Sequence, residues 1–257
     1  MAPPRQVSSI PAEALLRHLP PSLTLQADTL HVWAFTLDGT PALVEFCRAS
    51  LSEAERQRAD RFIFERDRIR HTIAHGVLRH LLSRYCHIAP ESLQFTATSA
   101  GKPSLWIPGG SGTAAIQFNL THSDERALLG VSTDRELGID LEKVRSNIEA
   151  LAISDRYFFG SERDAIQNAP SPSRDSTFFR YWVAKEAVLK AQGIGLGFPL
   201  DGFRVNFLPD GHAAYIDTLD PAALSGDWTV KMLSCDDGWH GAVAARGNDW
   251  HVRVERS

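Results

Sequence analysis

Three cysteines in 257 residues, Cys47, Cys86 and Cys235, are odd in number and far apart, so neither a disulfide framework nor a zinc site is indicated. Neither charge sign dominates. A formal net charge of −4 argues against a nucleic-acid binder. No apolar run is long enough to span a membrane, and Met1 to Pro21 carries prolines where a signal peptide would carry an apolar stretch. These absences predict a reduced, soluble, cytoplasmic protein without membrane or nucleic-acid partners. The apolar share of 43% is ordinary for a globular chain, and the length allows a real core in one domain or two.

What is present comes twice. Leu30 to Phe35 reads as a strand, followed by a polar helix near Ser52-Glu53 and a longer one through His71 to Tyr85. Strands at Leu93–Thr96 and Ile116–Asn119 follow, and a turn at Ser123-Asp124-Glu125 leads into Ala127 to Val131. The second half repeats this order. Its strand is Ile139 to Val144, its helices lie near Ser161-Glu162 and through Trp182, and its later strands are Phe203–Asn206 and Trp228–Lys231. A turn at Cys235-Asp236-Asp237 then leads into Gly241 to Ala244. Corresponding elements are about 110 residues apart. An ordinary α+β chain can yield such an order, but it also predicts two similar α+β lobes in tandem, a pseudo-dimer joined near Thr133-Asp134-Arg135. The N-terminal lobe would be 1–133, with a Pro-rich leader over 1–22, and the C-terminal lobe 134–257. The leader and Asn168 to Ser176 read as mobile loops.

Two segments carry chemistry. In Gly138-Ile139-Asp140-Leu141-Glu142 the alternation of a strand turns Asp140 and Glu142 to one face and Ile139 and Leu141 to the other. In the helix through Trp182, a stripe of Phe179, Trp182, Val183 and Glu186 puts a carboxylate in line with an apolar face. Lys190 follows one turn later. Taken alone, Asp-x-Glu is a strand edge facing water, and Glu186 with Lys190 is a helix ion pair worth a few tenths of a kcal/mol. Together, the three carboxylates can form a hard oxygen site for Mg²⁺.

Further motifs stand in order around these: Gly101-Lys102-Pro103, Phe118-Asn119-Leu120-Thr121-His122-Ser123, Phe158-Phe159-Gly160-Ser161-Glu162 and Trp182-Val183-Ala184-Lys185-Glu186-Ala187-Val188-Leu189-Lys190. In this order the chain resembles the 4′-phosphopantetheinyl transferases of the surfactin-synthetase-activating type over roughly Leu51 to Leu200. The resemblance implies a two-lobed fold with coenzyme A in the cleft between the lobes. It also implies transfer of phosphopantetheine from coenzyme A to a serine of an apo acyl or peptidyl carrier protein, releasing 3′,5′-ADP. The implied cofactor is Mg²⁺, with Mn²⁺ as a substitute, and the implied state is a monomer.

The resemblance assigns Asp140 and Glu142 as metal ligands, and Glu186 as a third ligand or as the base that takes the serine proton. Lys190 is placed to reach the leaving diphosphate, and His122 resembles the family's phosphate-contacting histidine. Thr121 keeps a hydroxyl for phosphate or nucleotide, and Lys102, at a turn, resembles a nucleotide-contacting lysine that reaches outward. Arg70, then Arg58, match cations for the 3′-phosphate. Glu55 stands where the family has a lysine, and Val183 replaces a usual threonine or serine. Lys185 points about 100° away from Glu186, toward solvent. Gly193, Gly195 and Gly197 end a helix, so a C-cap fits them better than a phosphate cradle. Two rivals remain: a strand-carboxylate phosphotransferase or nuclease acting on nucleotides, and a carrier-docking module without catalysis.

Overall fold

The computed structural model describes residues 6–98, 101–106, 116–133, 135–146, 148–194, 198–220, 224 and 226–255. The chain opens with short strands β1 (Gln6–Val7) and β2 (Ile10–Pro11) and helix α1 (Ala12–Arg17). Strand β3 (Thr29–Thr36) leads to α2 (Pro41–Ser50), α3 (Glu53–Asp60) and α4 (Glu65–Cys86). Then come β4 (Gln94–Ala97), β5 (Pro103–Trp106), β6 (Ile116–Ser123) and β7 (Arg126–Thr133). The second half holds β8 (Leu137–Lys143), α5 (Ala150–Tyr157), α6 (Gly160–Asn168) and α7 (Arg174–Gln192). It closes with β9 (Phe203–Phe207), β10 (Ala213–Thr218), β11 (Trp228–Cys235), β12 (Trp239–Arg246) and β13 (His251–Val254).

Local chemistry sets the ends of these helices. Pro41 opens α2, where a missing N–H costs nothing, and Thr40 accepts from Leu43 N at 3.2 Å. A capping box starts α3: Ser52 Oγ accepts from Glu55 N and Glu55 Oε2 accepts from Ser52 N. Gly193, left-handed at φ 71°, stops α7. The expected C-cap is present there; Gly195 and Gly197 lie outside the described residues. Two expected loops are shorter than the sequence suggested. The leader's described residues form β1, β2 and α1 and bury Ala12 and Leu15, and the 168–176 segment gives its first residue to α6 and its last three to α7.

One large sheet has the order β8-β12-β11-β10-β9, the other β13-β3-β7-β6, and β4 pairs with β5 in a separate two-stranded sheet. Each large sheet also receives a strand from the far end of the chain. β1 pairs in parallel with β11, and β13 pairs in parallel with β3. Helix α4 covers the sheet that holds β3, with Ile73, Val77 and Leu81 against Trp33, Phe35 and Phe118. Helix α7 covers the sheet that holds β8, with Val183, Ala187 and Val188 against Val230, Ala242 and Ala244. The remaining faces meet each other through Leu30, Val32, Leu128, Ile139, Leu141 and Val243. Each such side chain contributes roughly 1.5–3 kcal/mol when fully buried. The tandem α+β design is therefore observed, and the edge strands β6 and β8 come together where the two sheets join. Among the described residues no helix is long and apolar enough to cross a membrane.

Candidate active site

Helix α7 lies directly on β8 because residue 138 has no side chain. A Cβ on Gly138 would stand 2.1 Å from Ala187 O and 2.2 Å from Ala191 N. This close approach carries Lys190 to Asp140. Lys190 Nζ donates to Asp140 Oδ1 at 2.5 Å and to Thr121 Oγ1 at 3.0 Å, and Thr121 Oγ1 donates to Asp140 Oδ1 at 3.1 Å. The lysine of the expected helix ion pair thus bonds a strand carboxylate instead.

The alternation of β6 divides the site. Its odd positions face β8: Asn119 Oδ1 accepts from Ile139 N at 2.8 Å, Thr121 meets Asp140, and Ser123 Oγ donates to Glu142 Oε2 at 2.7 Å. Even positions Phe118 and Leu120 pack on the α4 side, and His122 shares their face. One strand thereby joins a carboxylate corner to a wall of cations.

At the carboxylate corner, Asp140 is 3% exposed, and its Oδ2 and Glu186 Oε1 are both buried without a hydrogen-bond partner. Burial pushes the Glu186 carboxyl up to about 7, with the Asp140 and Glu142 charges adding to the rise and Lys190 opposing it. Burial also raises Asp140, against the pull of Lys190, and raises Glu142, against its bond to Ser123. Unpartnered oxygens and mutually repelling carboxylates are what a divalent cation would relieve, so the donor set fits Mg²⁺. Among the described residues no three His, Cys, Asp or Glu side chains already stand close enough to enclose an ion.

The cation wall draws on α3, α4 and β6. Arg70 is mostly buried, 3.7 Å from Asp38, and its Nε has no acceptor. His122 has its pKa lowered by desolvation and then by the nearby His75, Lys190 and Arg70, although much of its surface is exposed. Arg58 is exposed and acts on the adjacent His71.

Two lysines differ from expectation. The Lys102 ammonium turns inward, donating to Leu137 O at 3.1 Å and Ala191 O at 2.5 Å, and burial holds its pKa down to about 8. It satisfies carbonyls at the end of α7, and its stem packs on Gly193. Lys185 is not solvated: its side chain is 0% exposed, 2.8 Å from Glu162 Oε2, with Leu200 O and Phe203 O as further acceptors. The 100° rotation that removes it from Glu186 points it into the lobe's core. The glutamate of one motif and a lysine of another are therefore a structural pair. Glu55 is likewise structural, bound by Arg79 at 2.7 Å. Sequence reasoning missed Asn119, Ser123, His71 and His75 as parts of the site; the first two stood inside a quoted motif, at the strand positions that share Thr121's face.

The family model described as the 4′-phosphopantetheinyl transferase superfamily matches residues 136–244, and that described as 4′-phosphopantetheinyl transferase, N-terminal, matches 39–133. The chain is 34% identical to the 4′-phosphopantetheinyl transferase HetI of Nostoc sp. (strain PCC 7120) over 236 residues, 91% of this chain and 94% of that one. It is 28% identical to the 4′-phosphopantetheinyl transferase of Bacillus subtilis, over 65% of this chain and 70% of that one. With the human L-aminoadipate-semialdehyde dehydrogenase-phosphopantetheinyl transferase it shares 29% identity, over 84% of this chain and 75% of that one. Two matched models end to end and a relative aligned over nearly its whole length lead to one conclusion: the chain belongs to the 4′-phosphopantetheinyl transferase superfamily.

Proposed function

We propose that this chain transfers 4′-phosphopantetheine from coenzyme A to a serine hydroxyl of an apo acyl or peptidyl carrier protein, with Mg²⁺ as its metal. The new bond joins the serine oxygen to the β-phosphorus of coenzyme A. The bond from that phosphorus to the bridging oxygen breaks, the serine proton is released, and 3′,5′-ADP leaves. The observation that carries this reading is the pair of buried, unpartnered oxygens, Asp140 Oδ2 and Glu186 Oε1, beside Lys190.

Asp140, Glu142 and Glu186 would hold the metal, which when bound supplies charge neutralisation to the diphosphate oxygens. Lys190, fixed by Asp140 and Thr121, presents a compact positive charge to the leaving diphosphate. Thr121 and Ser123 keep the two strand carboxylates in place from the neighbouring strand. His122 would lie between the diphosphate corner and the 3′-phosphate wall of Arg70 and Arg58, while Lys102, engaged with the carbonyls of Leu137 and Ala191, braces the end of α7. The lobes divide at 133/134, with β1 and β13 exchanged between their sheets. Because one chain supplies both sides of the cleft, it acts as a monomer, in the cytoplasm.

The test is incubation with coenzyme A, Mg²⁺ and several apo carrier proteins, followed by intact-mass measurement. A carrier should gain one phosphopantetheine at a single serine, and EDTA should stop the reaction. Modification of no carrier, or turnover indifferent to EDTA, would sink the reading.

A further inference from the structure

Two imidazoles on α4 stand outside the motifs that the sequence carries. His71 and His75, one turn apart, pack with ring centroids 4.2 Å apart, and Phe62 closes on His71 at 5.1 Å. His71 is buried and its Nε2 has no partner. His75 keeps 27% of its side chain open, and its Nδ1 stands 3.7 Å from Glu55 Oε1. That carboxylate is anchored by its other oxygen, which accepts from Ser52 N at 2.8 Å and from Arg79 Nε at 2.8 Å. Glu55 therefore orients the ring while the buried guanidinium of Arg79 offsets its charge.

Coenzyme A carries two separate anionic groups. Its diphosphate belongs with Lys190 and the carboxylate corner. The 3′-phosphate, held apart from the diphosphate by the ribose, falls to the α4 wall, where the guanidinium of Arg70 stands with the imidazoles of His75 and His122. The carboxylates nearby are Asp38, 3.7 Å from Arg70, and Glu55, whose Oε2 is bound by Arg79.

We propose that His75 is a specificity residue for the 3′-phosphate of coenzyme A, with Glu55 as the positioning residue that holds its ring. This rests on the transferase reading. In the complex Nδ1 faces Glu55 and Nε2 donates to a phosphate oxygen. Glu55, standing where the family has a lysine, then acts on the phosphate through the histidine it positions.

The experiment is calorimetric titration of the full chain with coenzyme A, 3′-dephospho-coenzyme A and 3′,5′-ADP, for the wild type, His75→Ala and His75→Lys. His75→Ala should weaken coenzyme A and 3′,5′-ADP by about ten- to a hundredfold, the worth of one charge-assisted hydrogen bond. It should leave 3′-dephospho-coenzyme A within about twofold, and His75→Lys, which restores a cation, should recover most of the loss. Equal losses for the ligands with and without the 3′-phosphate, or no loss for any, would overturn the role of His75. A wild type that binds none of the three would overturn the transferase reading itself, and this assignment with it.

Discussion

Lys190 Nζ and Asp140 Oδ1 stand 2.5 Å apart, an ion pair that ties helix α7 to strand β8. It leaves Asp140 Oδ2 buried and free of protein partners, aimed at the same corner as Glu186. Asp140→Asn keeps the shape and removes the charge. Transfer should fall by about 10²–10³-fold, the usual worth of one electrostatic group at a reacting centre, with the thermal midpoint little changed. A variant within about tenfold of wild type at saturating Mg²⁺ would remove Asp140 from the metal site.

Glu186→Gln separates ligand from base. We expect the Mg²⁺ concentration for half-activation to rise, with excess Mg²⁺ restoring part of the rate, because Asp140 and Glu142 alone leave an octahedral shell to water and phosphate. Unchanged Mg²⁺ dependence with a single-turnover rate down by about 10²–10⁴-fold would instead make Glu186 the base. No change in either quantity would exclude both roles.

Gly138→Ala tests the close approach that builds the site. Its Cβ would overlap Ala187 O and Ala191 N, backbone atoms that cannot move without shifting α7. Overpacking of this kind costs about 1–3 kcal/mol or more. The urea midpoint should drop, and transfer by the folded fraction should drop further as Glu186 and Lys190 move from Asp140. Wild-type activity and stability together would show that α7 does not need this contact.

Lys185→Met should act on folding and not on chemistry. It would leave Glu162 buried with backbone donors from Phe159 and Val205 but no counter-charge. Breaking such a pair costs about 3–5 kcal/mol. Chemical denaturation reads the loss directly, and coenzyme A affinity of the folded protein should stay at the wild-type value. A variant as stable as wild type would mean the pair contributes nothing.

His31 gives the fold a dependence on acid. It is buried, with Nδ1 2.8 Å from Tyr85 Oη, and burial followed by the Arg253 charge holds its pKa down to about 4. The unfolded chain takes up the proton near pH 6.5, before the folded one does. The stabilisation is therefore complete above pH 6.5 and is lost as pH falls toward 4. Between pH 6.5 and 4.5 His31 should account for a loss on the order of 2 kcal/mol that a His31→Gln variant lacks. Denaturation midpoints of the two proteins at both pH values check this; parallel losses would show that His31 does not titrate differently on folding.

The sequence by itself determined whatever depends on residues a few positions apart. Strand alternation put Asp140 and Glu142 on one face, and the helix repeat aligned Glu186 and Lys190. Capping chemistry started α3 and ended α7, and the twofold order of elements marked out the lobes. The ordered motifs then carried the family. Tertiary structure decided which partner each side chain meets. Lys190 found Asp140, 50 residues earlier, and Lys185 found Glu162 on another helix. Lys102 turned in to the end of α7, and β1 and β13 crossed between the sheets. His75 came near enough to His122 to act on its charge because α4 packs on the sheet that holds β6. A repeat of 2 or 3.6 residues is a property of the backbone and is written locally. The meeting of two surfaces depends on how separate elements fill space together, and no single segment encodes it.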